Sequence, residues 1–324
     1  MDSKFLLSLW ILQLIAGYYL IRPVRSSLYR TLLTIVPCSF LIYTTCHDLP
    51  AFHMSTIMTI SLCWMIFIRF IHLTIFSPNE TSSFRQYAWK FLWFCLPIIP
   101  ANRKYSVTYY IVCGAIKLFV NIWFYDWMRR CEPNDSYAKV ALFYIQICAS
   151  TFLNDLQIVF VRLITFNKYE LLAFNDYPIL SRSIREFWGY RYNRLVGTLL
   201  KESIFNPIRS LTNSSATIAG LASFIVSGLL HVHVAVTGFN APSPLPAFMF
   251  FLINALACFV AAKCPFTLPR PVGILLTNVF LILTAPLYIG LFTRAGSEYY
   301  EANKPPFFDA DWLPKMPVPS YCPK

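Results

Sequence analysis

Long apolar stretches dominate this chain and restrict it to folds that cross a lipid bilayer. A helix needs about 20 apolar residues to cross the hydrocarbon core, and eight stretches approach or reach that length. The predicted spans are Phe5–Ile21, Leu32–Cys46, Met54–Phe76, Val107–Trp127, Val140–Ile164, Ala216–Gly238, Leu245–Ala262 and Val272–Phe292. The sequence therefore predicts an all-α polytopic membrane protein of about eight transmembrane helices. We expect one membrane-embedded domain over residues 1–324, ending in a proline-rich tail, Arg294–Lys324.

The composition agrees with this fold class. Hydrophobic residues make up 57% of the 324 residues and charged residues only 13%, far from the balance of a soluble domain. Lys and Arg number 27 against 15 Asp and Glu, and these charges lie mainly in the loops between the apolar stretches. We therefore interpret the basic excess as topology signals and contacts with anionic membrane lipid, and we expect no nucleic-acid partner.

One further apolar stretch, Tyr87–Ala101, is ambiguous. Lys90, Pro97 and Pro100 interrupt it, and its aromatic residues are typical of a segment at the membrane interface. We expect it to lie in the interface or to re-enter the membrane, although a full crossing remains open.

Loop charge predicts the orientation. If the ambiguous stretch does not cross, most basic loops fall on one side, which the positive-inside rule makes cytosolic. The opposite loops His47–His53 and Phe239–Pro244 carry no Lys or Arg, as expected for the lumen. The loop Met128–Ala138 is an exception, because it carries Arg129 and Arg130 on the predicted lumenal side.

A polar segment, Thr165–Ser215, separates the fifth and sixth predicted spans. Apolar residues recur at helical spacing from Ile184 to Leu199, which predicts an amphipathic helix with arginines at its margins. One interpretation is a helix that lies on anionic lipid. The other is a phosphate-recognising entrance, since guanidinium groups match phosphate geometry. The arginines concerned are Arg185, Arg191 and Arg194.

His231 lies in the middle of the sixth predicted span. An ionisable side chain in a membrane is costly, which makes it a functional candidate by default. Ser227 precedes it by one turn and shares its face, while Gly228 permits close approach of a ligand or another helix. His233 lies about 200° further round the helix, so the two histidines do not face one cavity. A structural histidine, bonded to a neighbouring backbone group, is the alternative.

Residue counts narrow the chemistry open to His231. Five histidines are too few for a membrane di-iron oxygenase, and no spacing supports haem ligation. The sequence also lacks a glycine-rich phosphate loop, a His-Glu zinc motif and a nucleophile elbow. We therefore expect no metal site, and general base catalysis is the single-histidine chemistry that remains.

Two polar residues interrupt the fifth predicted span. Asn154 and Asp155 lie well inside its apolar run. An intramembrane carboxyl group can line a tunnel or join two helices by a hydrogen bond. The sequence leaves both interpretations open.

Two blocks of sequence are similar to a known family. Ser183–Asn193 reads SIREFWGYRYN and Ser227–His231 reads SGLLH. Together they resemble the membrane-bound O-acyltransferase superfamily, most closely its wax synthase-like branch. The similarity covers roughly residues 180–235, and elsewhere it rests on length and hydropathy. That branch often has Arg-Trp-His where this chain has Arg-Tyr-Asn at 191–193, which leaves the acceptor open.

The resemblance implies a role for each matching residue. His231 corresponds to the catalytic histidine of the family, and Asn193 corresponds to its second polar position. Arg185, Arg191 and Arg194 are expected to meet the phosphates of acyl-coenzyme A on the cytosolic side. Trp188, Ser227 and Gly228 are candidates to line the substrate tunnel that the family encloses.

The resemblance also implies an activity. We expect an acyl-coenzyme A-dependent O-acyltransferase of the endoplasmic reticulum, with acyl-coenzyme A as cosubstrate and no permanently bound cofactor. The preferred reaction is acetyl transfer from acetyl-coenzyme A to a hydrophobic alcohol, such as a terpenoid or a related secondary metabolite. The first alternative is a wax ester synthase that acts on long-chain alcohols. A second alternative, of another class, is a non-catalytic lipid-binding protein or transporter.

Overall fold

The computed structural model describes residues 3–79, 83–102, 104–131, 134, 136–211, 215–264, 268–314 and 316–318. This part of the chain is almost entirely helical. Its α-helices are α1 Ser3–Ala16, α2 Ser27–Cys46, α3 Met54–Phe70, α4 Phe84–Leu92, α5 Val107–Arg130, α6 Tyr137–Ala149, α7 Phe152–Ile164, α8 Ile184–Glu186, α9 Arg194–Leu200, α10 Asn206–Leu211, α11 Ala216–His233, α12 Leu245–Lys263, α13 Arg270–Thr284, α14 Gly290–Arg294 and α15 Gly296–Ala302. Several continue as π-helical turns: Gly17–Ile21, Ile71–Phe76, Phe187–Arg191, Lys201–Phe205 and Val234–Gly238. Two 3₁₀ turns, Pro178–Leu180 and Ala285–Leu287, complete the helical elements.

Seven helical stretches in the described residues are long and apolar enough to cross a membrane. They are Lys4–Ile21, Met54–Phe76, Val107–Arg130, Tyr137–Ile164, Ala216–Gly238, Leu245–Lys263 and Arg270–Leu287. These correspond to seven of the eight predicted spans and confirm an all-α polytopic membrane protein. The eighth prediction, Leu32–Cys46, falls within α2, a 20-residue helix that contains Pro37. Arg30 and several hydroxyl residues make α2 less apolar than the seven.

The fifth predicted span, Val140–Ile164, is not one continuous helix. Helix α6 ends at Ala149 and α7 begins at Phe152, so Ser150 and Thr151 break the run. Tight turns replace regular helix here, because the backbone N–H of Thr151 donates to the carbonyl of Ala149 at 2.8 Å. The extent of the predicted span is confirmed, but Ser150 and Thr151 divide it into two helices.

The ambiguous stretch Tyr87–Ala101 does not form a transmembrane helix. It begins within α4, which has nine residues and is about 14 Å long, less than half the thickness of a hydrocarbon core. The chain then enters a short strand, β1 Ile98–Pro100. One face of α4 buries Tyr87 and Phe91, so the helix is anchored by its aromatic side chains.

The chain divides into two compact units, each made of two separate segments. The first comprises Met1–Leu96 and Thr198–Pro244, and the second comprises Pro97–Gly197 and Leu245–Lys324. The boundary between the central segments falls within α9. The assignment of residues 1–324 to a single acyltransferase domain stays a prediction.

The first unit is held together by two apolar clusters. One contains buried residues from α2, α3 with its π-helical turn, and α4: Cys38, Phe70, Leu73, Tyr87 and Phe91. The other joins Ile68 to Leu199 and Ile204, with residues of α11 packed against it. This second cluster fixes α11, which carries His231, against the end of α3.

The second unit is built around the pair α5 and α7. Tyr110, Ile158, Val161 and Leu171 form its buried cluster. Leu171 lies in β2 Tyr169–Leu171, which pairs antiparallel with β1. The packing of α5 and α7 therefore continues into the chain that leads to the motif segment.

The arginines that contradicted the charge rule are paired with acidic residues. Arg130 lies 2.9 Å from Asp126 in an ion pair, and Arg129 lies 3.6 Å from both Asp126 and Glu301. These acidic partners offset the positive charge of Arg129 and Arg130. The loop Met128–Ala138 therefore departs less from the positive-inside rule than its sequence suggests. Glu301 belongs to α15, a helix that the tail's weak periodicity did not predict.

Candidate active site

The segment with the Phe-Trp-Gly block is not one amphipathic helix. Helix α8 leads into the π-helical turn Phe187–Arg191, and Tyr192 is extended. Asn193 then has a positive φ of 41°, and α9 starts at the next residue. The predicted continuous helix from Ile184 to Leu199 was therefore wrong. Asparagine tolerates the left-handed region better than most residues, so it suits this reversal.

Asn193 is fixed at both its side chain and its backbone. Its Oδ1 accepts a hydrogen bond from the backbone N–H of Val196 at 3.2 Å, in the manner of a helix N-cap. Its own backbone N–H donates to Oδ1 of Asn175 at 2.9 Å. Because Val196 needs an acceptor, the amide orientation of Asn193 is settled. Its Nδ2 has no partner in the described part of the chain, and it is the group that can donate to a ligand.

Trp188 anchors the π-helical turn to α12. Its indole Nε1 donates to Oδ1 of Asn254 at 2.9 Å, and its ring packs against Phe250 and Phe251 with centroids 6.1 and 5.9 Å away. Asn254 is fully buried, and its Nδ2 donates to the carbonyl of Phe250 at 2.8 Å. The indole is thus held firmly against α12.

The three predicted phosphate-binding arginines differ in their surroundings. Arg185 is exposed, whereas Arg194 is half-buried at the start of α9. Arg191 is held within the protein, since its Nε lies 2.7 Å from Oε1 of Glu186 and its Nη1 donates to the carbonyl of Asp176 at 3.0 Å. Arg185 and Arg194 are therefore more available to an incoming anion than Arg191.

Glu186 is the acidic partner of this basic segment. Burial alone would raise the pKa of Glu186, but the backbone N–H of Arg182 and the guanidinium of Arg191 outweigh it and lower the pKa. The hydrogen bond from the Arg182 backbone to Oε2 is 2.7 Å long. Glu186 therefore stays ionised and braces both ends of α8 and its π-helical turn.

His231 lies in the last turn of α11 and is half-buried. Its Nδ1 lies 2.7 Å from the backbone carbonyl oxygen of Ser227. A carbonyl oxygen can only accept, so Nδ1 carries the proton. In the neutral imidazole, Nε2 then bears the lone pair, as a general base requires. Gly228, next to Ser227, is buried in the same helix.

His233 has a different partner. Its Nδ1 accepts a hydrogen bond from the indole Nε1 of Trp64, in α3, at 3.1 Å. The neutral ring of His233 therefore carries its proton on Nε2. The two histidines of α11 hold their protons on opposite nitrogens, and only His231 presents Nε2 as an acceptor.

The structure groups the predicted site residues into two sets. Ser227, Gly228 and His231 share α11 in the first unit. The second unit holds the others on one continuous segment: Arg185, Trp188, Arg191, Asn193 and Arg194.

Two asparagines that support this segment were not predicted. Asn254 lies in an apolar span, and its position there was a usable signal that sequence analysis did not take up. Asn175 lies in a polar loop, where an asparagine is ordinary and carries no signal. Both are buried, and both accept a hydrogen bond from the motif segment.

Comparisons with known proteins agree with these motifs. The Membrane bound O-acyl transferase family matches residues 172–253. Probable long-chain-alcohol O-fatty-acyltransferase 9 of Arabidopsis thaliana is 32% identical over 146 residues, which cover 40% of this chain and 43% of that protein. Probable long-chain-alcohol O-fatty-acyltransferase 3 of the same plant is 26% identical over 71% of this chain and 70% of its own length.

A third relative is named for a different acceptor, a sterol. Acyl-CoA--sterol O-acyltransferase 1 of Arabidopsis thaliana is 28% identical over 33% of this chain and 34% of its own length. The range that matches the family, residues 172–253, includes both the Phe-Trp-Gly block and the histidine of α11. The protein is an integral, multi-pass membrane protein, and its motif region is similar to membrane-bound O-acyltransferases, including those of the wax synthase-like branch.

Proposed function

We propose that this protein transfers a fatty acyl group from acyl-coenzyme A to the hydroxyl of a long-chain alcohol in the endoplasmic reticulum. The observation that carries the proposal is the 2.7 Å contact between Nδ1 of His231 and the carbonyl of Ser227. It gives a histidine in an apolar helix the tautomer of a general base. The other histidine of this helix, His233, has the opposite tautomer, and its Nε2 carries the proton.

The reaction follows from that tautomer. Nε2 of His231 takes the proton of the alcohol as the alcohol oxygen attacks the thioester carbonyl. The new carbon–oxygen bond forms, a tetrahedral oxyanion collapses, and the carbon–sulfur bond breaks. The leaving thiolate receives the proton from the imidazolium, so the histidine returns to its neutral form. The products are an ester and free coenzyme A.

Asn193 is proposed to stabilise the oxyanion of the tetrahedral intermediate. Its Oδ1 already accepts from Val196, whereas its Nδ2 is a donor. A donor suits the charge that develops on the thioester oxygen. This argument favours oxyanion stabilisation over the alternative that Asn193 orients the acceptor hydroxyl.

The remaining predicted residues are assigned to substrate binding. Arg185 and Arg194 are proposed to contact the phosphates of coenzyme A directly. Arg191 is proposed to contact the phosphates only with the N–H groups that Glu186 and Asp176 leave unused, because these two residues already hold its guanidinium. The tunnel lining is proposed to include Trp188, Ser227 and Gly228.

The names of the relatives support the choice of acceptor. Two of the three are named for long-chain alcohols and fatty acyl groups. The relative named for sterols keeps a second candidate, because a sterol is a rigid polycyclic alcohol, as many terpenoid alcohols are. The second candidate is therefore acyl transfer, including acetyl transfer, to a terpenoid or related hydroxyl.

Microsomes from cells that express the protein test these proposals. They are supplied with labelled palmitoyl- or acetyl-coenzyme A and with hexadecanol, a sterol or a terpenoid alcohol, and the labelled esters are identified by mass spectrometry. We expect hexadecyl palmitate, the ester of hexadecanol with the palmitoyl group, as the main product. Acetyl ester of the terpenoid alcohol as the main product would replace the first candidate with the second.

The catalytic assignment is tested with two matched histidine variants. His231→Ala is expected to abolish ester formation at normal protein abundance, whereas His233→Ala retains it. Ester formation that survives His231→Ala contradicts the general-base role. Saturable alcohol binding without any ester from any donor would instead support a non-catalytic lipid-binding protein.

A further inference from the structure

The chain from Phe174 to Asp176 runs beside the motif segment and is joined to it by backbone hydrogen bonds. The N–H of Asp176 donates to the carbonyl of Arg191, and the N–H of Arg194 donates to the carbonyl of Phe174, both at 2.8 Å. These two bonds flank Tyr192 and Asn193 on either side. The segment therefore brackets the point where the motif reverses direction.

Asn175 lies between those two bonds and is almost completely buried, with 8% of its surface exposed. Its Oδ1 accepts the backbone N–H of Asn193 at 2.9 Å. Its Nδ2 lies 3.4 Å from the carbonyl oxygens of Ile147 and Cys148, at the end of α6. One amide thus joins Asn193 to the break between α6 and α7.

Both polar atoms of the Asn175 side chain, Oδ1 and Nδ2, satisfy groups that need a partner. The carbonyls in the last turn of a helix have no partner within the helix, and Nδ2 approaches two of them. Asn193 has a left-handed backbone, which asparagine tolerates, and the bond from its N–H to Asn175 fixes that backbone in place. An oxygen and an NH₂ group on one short side chain are needed to satisfy both partners, and asparagine supplies them.

We propose that Asn175 is a positioning residue for catalysis. It holds Asn193 in the backbone conformation that directs its Nδ2 towards the reacting carbonyl. The inference rests on the proposed function, because it requires Asn193 to act in the transition state. It adds a residue that touches no substrate and is absent from both sequence blocks.

The first experiment compares three variants in detergent-solubilised full-length protein. Asn175→Leu keeps the volume and removes every side-chain hydrogen bond of Asn175, and we expect kcat to fall about 10²-fold, as for a misplaced catalytic group, with KM for acyl-coenzyme A unchanged. Asn175→Asp keeps an acceptor for the N–H of Asn193, so it is expected to recover part of kcat. Asn175→Ala serves where Asn175→Leu does not fold. A wild-type kcat in Asn175→Leu, or in Asn175→Ala where it is needed, overturns the proposal.

Asn278 provides a matched control in the same unit. Its Nδ2 donates to the carbonyls of Ile179 and Ile274 at 2.8 Å, and its Oδ1 accepts from the hydroxyl of Tyr144 at 2.9 Å. Asn278→Leu therefore removes a comparable set of bonds away from Asn193. We expect a lower melting temperature and an unchanged kcat per folded molecule. An equal fall of kcat in Asn278→Leu and Asn175→Leu would make the effect structural and overturn the proposal.

A double-mutant cycle separates this inference from the proposed function. Asn175→Leu is expected to cost nothing further in an Asn193→Ala background, because the group that it positions is gone. A full additional loss in that background, with His231→Ala inactive, overturns the role of Asn175 alone. An active His231→Ala instead overturns the proposed general base, whatever the cycle shows.

Discussion

The indole of Trp64 donates a hydrogen bond to Nδ1 of His233 at 3.1 Å, so His233 and His231 carry their protons on opposite ring nitrogens. Two histidines separated by one residue in a membrane helix would otherwise compete as candidates for one role. The assignment of tautomers distinguishes them, because the Nε2 of His233 is a donor in its neutral ring. His233 is therefore a packing residue between α11 and α3.

His233→Phe is predicted to keep its catalytic rate and lose stability. The phenyl ring fills the space of the imidazole but leaves the N–H of Trp64 without its acceptor, which costs on the order of 1 kcal/mol. Thermal unfolding in detergent and ester formation per folded molecule measure the two effects. Trp64→Phe combined with His233→Phe removes both partners, so its melting temperature is expected to lie above that of His233→Phe alone. A tenfold loss of kcat in His233→Phe would contradict this division of roles.

The ion pair of Glu186 and Arg191 is predicted to make the motif segment sensitive to acid. The folded pKa of Glu186 lies below its ordinary value of 4.5, so its stabilising contribution is present above that value. The contribution disappears as the pH falls through the folded pKa. At pH 7, Glu186→Gln is expected to unfold at a lower temperature than the wild type, because it loses on the order of 1 kcal/mol of folding free energy.

Melting temperatures of the wild type and Glu186→Gln between pH 7 and pH 3 show whether the stabilisation by Glu186 is lost in acid. The difference between wild type and Glu186→Gln is expected to shrink towards pH 3, since the wild-type carboxylate becomes protonated. Other acidic residues titrate equally in both proteins and cancel in the comparison. A difference that stays constant over this range would show that the charge of Glu186 does not stabilise the segment.

The sequence predicts the transmembrane helices well because a bilayer sets their length and polarity locally. Seven spans follow from apolar run length alone. The break at Ser150 and Thr151 does not follow, because the carbonyl oxygens at the end of α6 have a tertiary partner, Asn175, in a later segment of the chain. No local pattern reports such a partner.

In the candidate site, too, local sequence patterns predict helix faces but not tertiary partners. The spacing of Ser227 and His231 predicts that they share a helix face, and the structure adds the bond that fixes the proton. Helical periodicity from Ile184 to Leu199 predicts one helix, yet the N–H of Asn193 bonds to Asn175 and its side chain caps Val196. Those tertiary and capping bonds outweigh the periodic signal and reverse the chain.

The ion pair between Lys117 and Asp155 is predicted to hold α5 against α7. Nζ of Lys117 lies 2.7 Å from Oδ2 of Asp155 and 3.1 Å from Oγ1 of Thr151. This geometry supports the helix–helix interpretation of Asp155. Lys117→Met leaves a buried carboxylate without its partner, so we expect a loss of about 3–5 kcal/mol.

Replacing both partners separates the cost of an unpaired charge from the value of the pair. Lys117→Met combined with Asp155→Leu is expected to be more stable than Lys117→Met alone, because no uncompensated charge remains. Denaturant titration of the four proteins in the cycle gives the coupling energy. Strict additivity of the two single losses would contradict an interaction across the α5–α7 contact.

Gly273 is predicted to set the distance between α13 and the chain that enters the motif segment. A Cβ at this position would lie 2.6 Å from the backbone oxygen of Arg182, and a backbone group cannot rotate away as a side chain can. The N–H of Arg182 is bonded to Glu186, so a shift there passes directly to α8. We expect Gly273→Ala to cost about 1–3 kcal/mol through overpacking and to lower kcat. Gly220→Ala is the control, since a Cβ there meets nothing within 4 Å and alanine is the better helix former by about 1 kcal/mol. Equal melting temperatures and rates for both alanine variants would show that α13 does not approach the motif this closely.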